Sequence, residues 1–367
     1  MKRINYGIEL GRILTMIMVM VLHILQQGGI LRQVSLFSFK GQTMVLLEYL
    51  CIVAVNVFAL ITGYVMVNGK YKPKRLLSLW LQVIFYSYVI LICVYPFKHI
   101  TLKNLLTLIF PTLFKEYWYF NAYLILFLFI PLINIGIKML SKESLLKLII
   151  FIFAILSIVG SLTKGDSLYL QGGYSPIWLM YAYIVGAYMK LHSKKGNYNK
   201  KNILVYLVLA VTMLALHDCV NLVLQVITGS SSQFWFLQRY CFPIIAVMSI
   251  YLFRFLINLS FNDNIQKVIT FFSRHSFAAY LFQTNVLIYG IFLKDSFYNL
   301  SASLNTLVLF LVVIFSAVLF YIIAVFIDKL RVWGYRKVNL EDKIFNLIRW
   351  CTKGIKKRLI NFLRSNF

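Results

Sequence analysis

Apolar runs of about twenty residues recur along the chain, and they constrain its fold more than any other feature. A run of that length crosses the hydrocarbon core of a bilayer as a helix. The composition agrees, because 61% of the 367 residues are hydrophobic and only 13% are charged. The sequence therefore predicts an all-α integral membrane protein, a polytopic bundle of about ten transmembrane helices.

The apolar runs also predict the domain organisation. The apolar stretch 102–114 is interrupted by Pro111 and is too short to span, so we expect an interfacial or re-entrant segment there. The chain divides into a transmembrane domain, 1–330, and a basic tail, 331–367. The predicted spans are 10–30, 44–66, 77–96, 118–137, 146–162, 175–191, 202–227, 237–259, 275–293 and 304–327.

Lysines and arginines predict the orientation of these spans. They concentrate in segments 70–75, 138–147 and 190–201 and in the tail, which all lie on one side of the membrane. Positive loops mark the cytoplasmic side, so we expect both termini there. The net charge of +26 then follows from topology and calls for no nucleic acid. The tail mixes basic and apolar residues, which favours an amphipathic helix on the lipids of the inner leaflet.

Three ionisable residues lie on one stripe of the first predicted span. Glu9 and Arg12 are three residues apart, and His23 follows Arg12 by eleven. A step of eleven returns to within about 20° of the same helix face, and it places Arg12 and His23 about 16 Å apart along the axis. Such groups in a membrane are functional or paired by default. The structural alternative is a snorkelling arginine and a hydrogen-bonded histidine in the bundle.

Glu116 precedes a cluster of aromatic residues at the start of the fourth predicted span. Aromatic rings beside a carboxylate suit sugar binding, whereas Trp and Tyr at a span end also form the interfacial belt of a membrane protein. The sequence leaves both interpretations open for Glu116 and for the three residues after it, Tyr117, Trp118 and Tyr119.

Other polar residues fall in or near the apolar runs. His217 and Asp218 could pair with Arg239 across helices and hold the bundle together. Glu48 could approach the level of His23, while His275 lies in a predicted loop where we expect solvent exposure. Five cysteines stand singly without metal-ligand spacing, so we expect no metal site.

Six stretches, in order along nearly the whole chain, resemble the membrane acyltransferase-3 family. The first is the R-x10-H spacing of Arg12 and His23 with an acid before it. The others are 55–58 with 62–64, the basic loop 72–75, 116–120 leading to Pro131, 273–277 with 279–282, and 328–331. Three positions depart from the family pattern. Gln283 stands where the family commonly has His, Glu9 where Asp is commoner, and Lys72 in place of an Arg.

The resemblance implies transfer of an acyl group from cytoplasmic acyl-CoA, usually acetyl-CoA, to a hydroxyl of a glycan or lipid-linked sugar. A histidine suits this chemistry because its pKa lies near neutrality. His23 could deprotonate the acceptor hydroxyl, or it could carry the acyl group itself. The sequence does not choose between these two roles. Arg12 would position the donor, and Glu9 would orient or neutralise Arg12.

The remaining assignments follow from the same resemblance. We expect Arg12, Lys72, Lys74 and Arg75 to contact the CoA donor, and Glu116, Tyr117, Trp118 and Tyr119 to contact the acceptor. The implied location is a bacterial plasma membrane, with a surface or secreted polysaccharide as product. A transporter or flippase for a lipid-linked glycan is the main alternative, and it predicts interrupted helices. A polysaccharide polymerase would need a larger external loop.

Overall fold

The computed structural model describes residues 4–96, 100–163, 166–193, 199–229 and 237–351. Within these ranges the chain forms helices and no strands. The α-helices are α1 (Tyr6–Gln26), α2 (Ile30–Gln33), α3 (Phe39–Cys51), α4 (Ala54–Met66), α5 (Pro73–Val94), α6 (Leu102–Ile109), α7 (Trp118–Met139), α8 (Lys142–Phe153), α9 (Gly160–Leu162), α10 (Pro176–His192), α11 (Asn199–Thr228), α12 (Pro243–Ile257), α13 (Asp263–Ser273), α14 (Ser276–Gln283), α15 (Tyr298–Ser303) and α16 (Thr306–Lys337). Short π-helical segments cover Ala154–Val159 and Ile288–Leu293, and a 3-10 turn covers Gln171–Gly173.

Six helical stretches of the described chain are long and apolar enough to cross a membrane. A seventh is added if the bent pair Asp263–Gln283 and Ile288–Ser303 counts as one span. The predicted class, an all-helical multi-pass membrane protein, therefore agrees with the structure. The six stretches are Tyr6–Gln33, Phe39–Met66, Pro73–Val94, Trp118–Met139, Asn199–Ile227 and Thr306–Lys337.

Helix α1 lies at the centre of the bundle. It begins after Asn5, whose side chain accepts a hydrogen bond from the backbone N–H of Ile8 and so caps the first turn. It then packs against α3, α4, α12, α13, α14 and α16. Because neighbouring helices surround α1, the half-buried side chains of Glu9, Arg12 and His23 face protein rather than lipid.

Glycines bring α4 and α10 into close contact beside α1. A Cβ on Gly63 would lie 1.9 Å from the carbonyl oxygen of Tyr183, and a Cβ on Gly186 would lie 2.1 Å from that of Leu60. No side chain fits in either gap, so only glycine permits this approach. Small residues of this kind let membrane helices associate through their backbones.

The span that begins with α13 and α14 is broken after Gln283. Its two halves meet at 68°, and the chain resumes as the π-helical segment Ile288–Leu293. A break inside a membrane frees backbone groups that the surrounding protein must satisfy. Here the N–H of Val286 donates to the Glu116 carboxylate, and the side chain of Asn285 donates to the hydroxyl of Tyr117. The break therefore lies against the segment that precedes α7.

The predicted interfacial stretch and the predicted tail both contact α5. Helix α6 is only eight residues long, and the carbonyl of Leu108 accepts a hydrogen bond from Ser87 at 2.7 Å. Helix α16 continues through Lys337, beyond the predicted domain boundary at 330, and residues 340–351 are helical again. Asp342 pairs there with Lys74, and Glu341 accepts from Ser78 at 2.9 Å. The rest of the predicted amphipathic tail, 352–367, lies outside the described residues.

Candidate functional site

Two cavities follow the polar stripe of α1. The larger, the His23 cavity, has a volume of about 410 Å³. The smaller, the Arg12 cavity, has a volume of about 240 Å³ and also contacts Glu9. Arg12 and His23 are eleven residues apart on one helix, about 16 Å along the axis of α1, so the two cavities lie at different levels of the bundle.

An aromatic pair lies between the two cavities. Phe58 of α4 and Tyr119 of α7 line both of them, and their rings meet edge to face with centroids 5.6 Å apart. The Tyr119 hydroxyl is buried and makes no hydrogen bond within the described chain. A buried hydroxyl without a partner is unusual and marks a position where a bound molecule can supply one.

His23 is held by packing rather than by a carboxylate. Its ring meets the ring of Tyr289 edge to face, with centroids 5.0 Å apart, and its Nδ1 atom has no hydrogen-bond partner among the described residues. The side chain of Gln283, the last residue of α14, lies beside the His23 ring without a well-formed hydrogen bond. The position that departs from the family pattern is therefore adjacent to His23.

Glu116 lines the His23 cavity from the segment just before α7. Burial raises the pKa of its carboxyl to about 7, an effect that the hydrogen bond from the Val286 N–H partly opposes. Glu116 thus places a carboxyl that titrates near neutrality in the same cavity as His23. Trp118 lines that cavity as well, whereas Tyr117 is buried and accepts a hydrogen bond from Asn285 at 3.0 Å.

Aromatic rings form one wall of the His23 cavity. Trp118 packs against Tyr174, with ring centroids 4.5 Å apart, and stacks on Tyr240 at 6.1 Å. The backbone of Tyr240 is fixed by Asn56, which donates to its carbonyl at 2.8 Å and accepts from the indole N–H of Trp178 at 2.8 Å. The close contact of α4 and α10 thus positions the wall through this buried Asn56 network.

Cationic side chains line the Arg12 cavity. Arg12 forms a loose ion pair with Glu9, with 3.8 Å between Nε and Oε1, and Arg75 and Arg274 line the same cavity. Two other predicted donor contacts lie elsewhere. Lys72 is exposed at the cap of α5, and Lys74 is paired with Asp342. The structure therefore brings Arg12 and Arg75 together and leaves Lys72 and Lys74 outside both cavities.

A buried polar cluster supports the Arg12 cavity from behind. Asp328 accepts hydrogen bonds from Arg331 at 2.6 Å and from Gln82, which lines the cavity, at 2.9 Å. The Nδ1 atom of His275 lies 2.7 Å from the other oxygen of Asp328. His275 was expected to be solvated in a loop. That prediction is wrong, because its side chain is only 12% exposed and pairs with Asp328.

The polar residues of α11 and those of the segment that precedes α12 have different surroundings. Asp218 lies 3.6 Å from Nδ1 of His217 and accepts a hydrogen bond from Gln42 at 2.9 Å. Arg239 instead lines the His23 cavity. Gln26 and Gln238 line the same cavity and were missed by sequence reasoning. Only Gln26 had a signal in the sequence, because it lies one helical turn after His23.

The fold and these cavities define a multi-pass membrane protein with two adjoining cavities inside its helical bundle. The model of the Acyl_transf_3 family, described as an acyltransferase domain, matches residues 5–326. The chain therefore belongs to the membrane acyltransferase-3 family, as the ordered motifs indicated, and this membership supports a membrane acyltransferase activity. Searches of curated proteins and of solved structures gave no significant match.

Proposed function

We propose that the protein is an integral-membrane O-acyltransferase. It moves an acetyl or other acyl group from cytoplasmic acyl-CoA to a hydroxyl of a surface or secreted polysaccharide, or of its lipid-linked precursor. One observation carries the proposal beyond family membership. The His23 cavity and the Arg12 cavity lie on one face of α1 and share the rings of Phe58 and Tyr119. A donor site and an acceptor site that meet at one pair of rings suit transfer between two bulky substrates.

The topology that we propose has ten spans with both termini in the cytoplasm of a bacterial cell. Besides the six long spans and the bent pair, we assign three further helical segments as spans, namely residues 142–162, Pro176–His192 and Pro243–Ile257. Together they make ten. The distribution of Lys and Arg then puts the start of α1, with Glu9 and Arg12, at the cytoplasmic side.

The Arg12 cavity is the proposed donor site. Arg12, Arg75 and Arg274 present guanidinium groups there, and guanidinium binds phosphate and carbonyl oxygens through fixed donors. In this role Glu9 orients Arg12 through their ion pair. Lys72 and Lys74 would contact the nucleotide end of acyl-CoA only from outside the cavity, where the phosphates of a long cosubstrate extend.

His23 is the proposed catalytic residue. As a general base it accepts the proton of the acceptor hydroxyl while that oxygen attacks the thioester carbon. The C–S bond breaks, the ester C–O bond forms, and the proton passes to the CoA thiolate. As an acyl carrier, its ring nitrogen attacks the thioester carbon, the C–S bond breaks, and CoA leaves as the thiol with the proton of the ring. The acceptor oxygen then attacks the acyl carbon, the N–C bond breaks, and the hydroxyl proton returns to the ring nitrogen. The free Tyr119 hydroxyl between the cavities can donate to the thioester carbonyl oxygen in either route.

The acceptor is proposed to bind in the His23 cavity. Trp118 offers a ring face for a sugar, and Glu116 can accept hydrogen bonds from hydroxyls. Tyr117 supports this wall from behind through its hydrogen bond with Asn285. Membrane lipids surround the bundle, and a lipid-linked sugar would approach from them.

A transporter or flippase for a lipid-linked glycan is the second candidate. The broken span at Gln283 favours it, because interrupted helices commonly form the substrate sites of transporters. Both candidates place a glycan in the His23 cavity. They differ in whether a covalent bond is made.

Transfer of labelled acetyl groups tests the proposal. Purified wild type in detergent receives radiolabelled acetyl-CoA and the glycan fraction of source-cell membranes, previously de-O-acetylated with mild base. We expect label in the glycan with wild type, and a loss of about 10²–10⁴-fold with His23→Ala. His192→Ala is the control, because His192 ends α10 outside both cavities. Glycan that stays unlabelled with wild type, together with movement of glycan across proteoliposomes, would establish the transporter instead.

A further inference from the structure

We propose that Gln26 and Gln238, held by the buried carboxylate of Glu48, form a subsite that binds an acceptor hydroxyl next to His23. The inference rests on the proposed function and adds to it residues that bind the acceptor. The hydroxyl in question is a neighbour of the reacting one, because the reacting hydroxyl must face His23 itself.

Glu48 connects two elements of the site. It lies in α3 and is 1% exposed. The Nε2 atom of Gln26 donates to one of its oxygens at 2.7 Å, and the Nε2 atom of Gln238 donates to the other at 2.8 Å. Both glutamines line the His23 cavity, and Gln26 lies one turn after His23 on α1.

The chemistry of these bonds determines how the glutamine amides are oriented. A carboxylate accepts hydrogen bonds and does not donate them, so each glutamine turns its amide nitrogen toward Glu48. The carbonyl oxygen of each amide then points away from Glu48. The Oε1 atom of Gln238 is buried and has no partner within the described chain, although the residue is only 9% exposed.

An unpartnered buried oxygen next to a cavity is suited to a ligand that donates hydrogen bonds. A buried polar atom left without a partner is destabilising, and native structures rarely retain one without a reason. The carbonyl oxygens of Gln238 and Gln26 accept hydrogen bonds, so at these two atoms a ligand hydroxyl binds better than a carboxylate or phosphate, which only accepts. A sugar hydroxyl on these oxygens, with its ring against Trp118, would place an adjacent hydroxyl toward His23.

Glu48 therefore acts as a positioning residue, and Glu48→Gln tests it with almost no change in shape. The new amide replaces one accepting oxygen with a donor, so one of the two glutamines must turn its nitrogen toward the cavity. We expect the KM for the de-O-acetylated glycan fraction to rise about tenfold, the effect of one lost hydrogen bond. The KM for acetyl-CoA should stay within about twofold of wild type, because the donor is proposed to bind in the other cavity.

Two further variants complete the experiment. Gln238→Met removes the amide at similar volume and should raise the same KM. Combined with Glu48→Gln it should add little, because both act through one hydrogen bond. Asp218→Asn is the matched control, since Asp218 also accepts from a glutamine, Gln42, but does not line either cavity. Thermal unfolding shows whether each variant is folded. If Glu48→Gln does not fold, the KM of Gln238→Met tests the subsite instead.

The outcomes separate the subsite from the proposed function. If wild type labels the glycan and the KM is unchanged in both cavity variants, the oxygens bind only water and the subsite is refuted. An equal rise in KM with Asp218→Asn would also overturn it, because the effect would then not be local. If wild type labels no glycan, it is the proposed acyltransferase function that fails.

Discussion

Replacement of Glu116 by Gln is predicted to remove a pH dependence of stability between about pH 5 and pH 8. Burial raises the pKa of the Glu116 carboxyl from 4.5 to about 7, and the hydrogen bond from Val286 limits the rise. The folded protein therefore holds this proton more tightly than the unfolded chain does. Its contribution to stability is complete below the unfolded pKa and is lost as the pH rises toward 7.

The size of the effect follows from the separation of the two pKa values. Each unit of separation is worth about 1.4 kcal/mol, so ionising Glu116 in the folded protein costs about 3 kcal/mol. The Glu116→Gln side chain stays neutral and can still accept from the Val286 N–H. Between pH 5 and pH 8, wild type should thus lose about 2 to 3 kcal/mol of stability that the variant keeps.

Unfolding in detergent, followed from pH 5 to pH 8, measures this difference. Glu143→Gln serves as the control, because Glu143 is an exposed carboxylate in the first turn of α8. Wild type and Glu143→Gln should lose stability together as the pH rises, while Glu116→Gln should change less. Parallel curves for all three proteins would refute the claim that Glu116 is buried beside His23.

Three other substitutions have defined expectations. Phe58→Ala opens the constriction between the cavities, so the rate of acetyl-CoA hydrolysis without glycan should rise several-fold as water gains access. An unchanged rate would show that the Phe58 ring does not separate the two cavities. Gly63→Ala forces a Cβ against the carbonyl of Tyr183 and should lower the free energy of unfolding by about 1–3 kcal/mol, measured as a lower unfolding midpoint. Gly136→Ala is the control, because a Cβ at Gly136 meets nothing within 4 Å. Asp328→Ala leaves Arg331 buried without its carboxylate and should lower the free energy of chemical unfolding by about 3–5 kcal/mol. A loss below about 1 kcal/mol would mean that water solvates Arg331 and its neighbours.

The sequence predicted the membrane class and the polar stripe of α1 because both depend on local periodicity. Apolar length identifies spans, and an eleven-residue step places Arg12 and His23 on one side of a helix. The family resemblance predicted from the ordered motifs is confirmed by the match over residues 5–326. The roles assigned to the site residues remain predictions.

Other parts of the site depend on contacts between distant segments, which no local pattern contains. Glu48 and Gln238 are 190 positions apart and meet only because the segment that precedes α12 packs against α3. His275 lies in the turn between α13 and α14, but its side chain is buried against Asp328, 53 positions later, so the expected solvent exposure was wrong. No proline marks the break after Gln283 in the sequence. The backbone N–H of Val286, which the break frees, donates to Glu116 of another segment.

The stoichiometry of thiol release to ester formation tests the central claim most directly. Purified wild type and His23→Ala are each mixed with acetyl-CoA and de-O-acetylated glycan, and free CoA thiol and glycan ester are followed in one time course. Acyl transfer with His23 as the catalytic residue predicts equal amounts of thiol and ester from wild type and a rate about 10²–10⁴-fold lower from His23→Ala. Wild-type rates in His23→Ala, or no thiol release from wild type at any acetyl-CoA concentration, would contradict it.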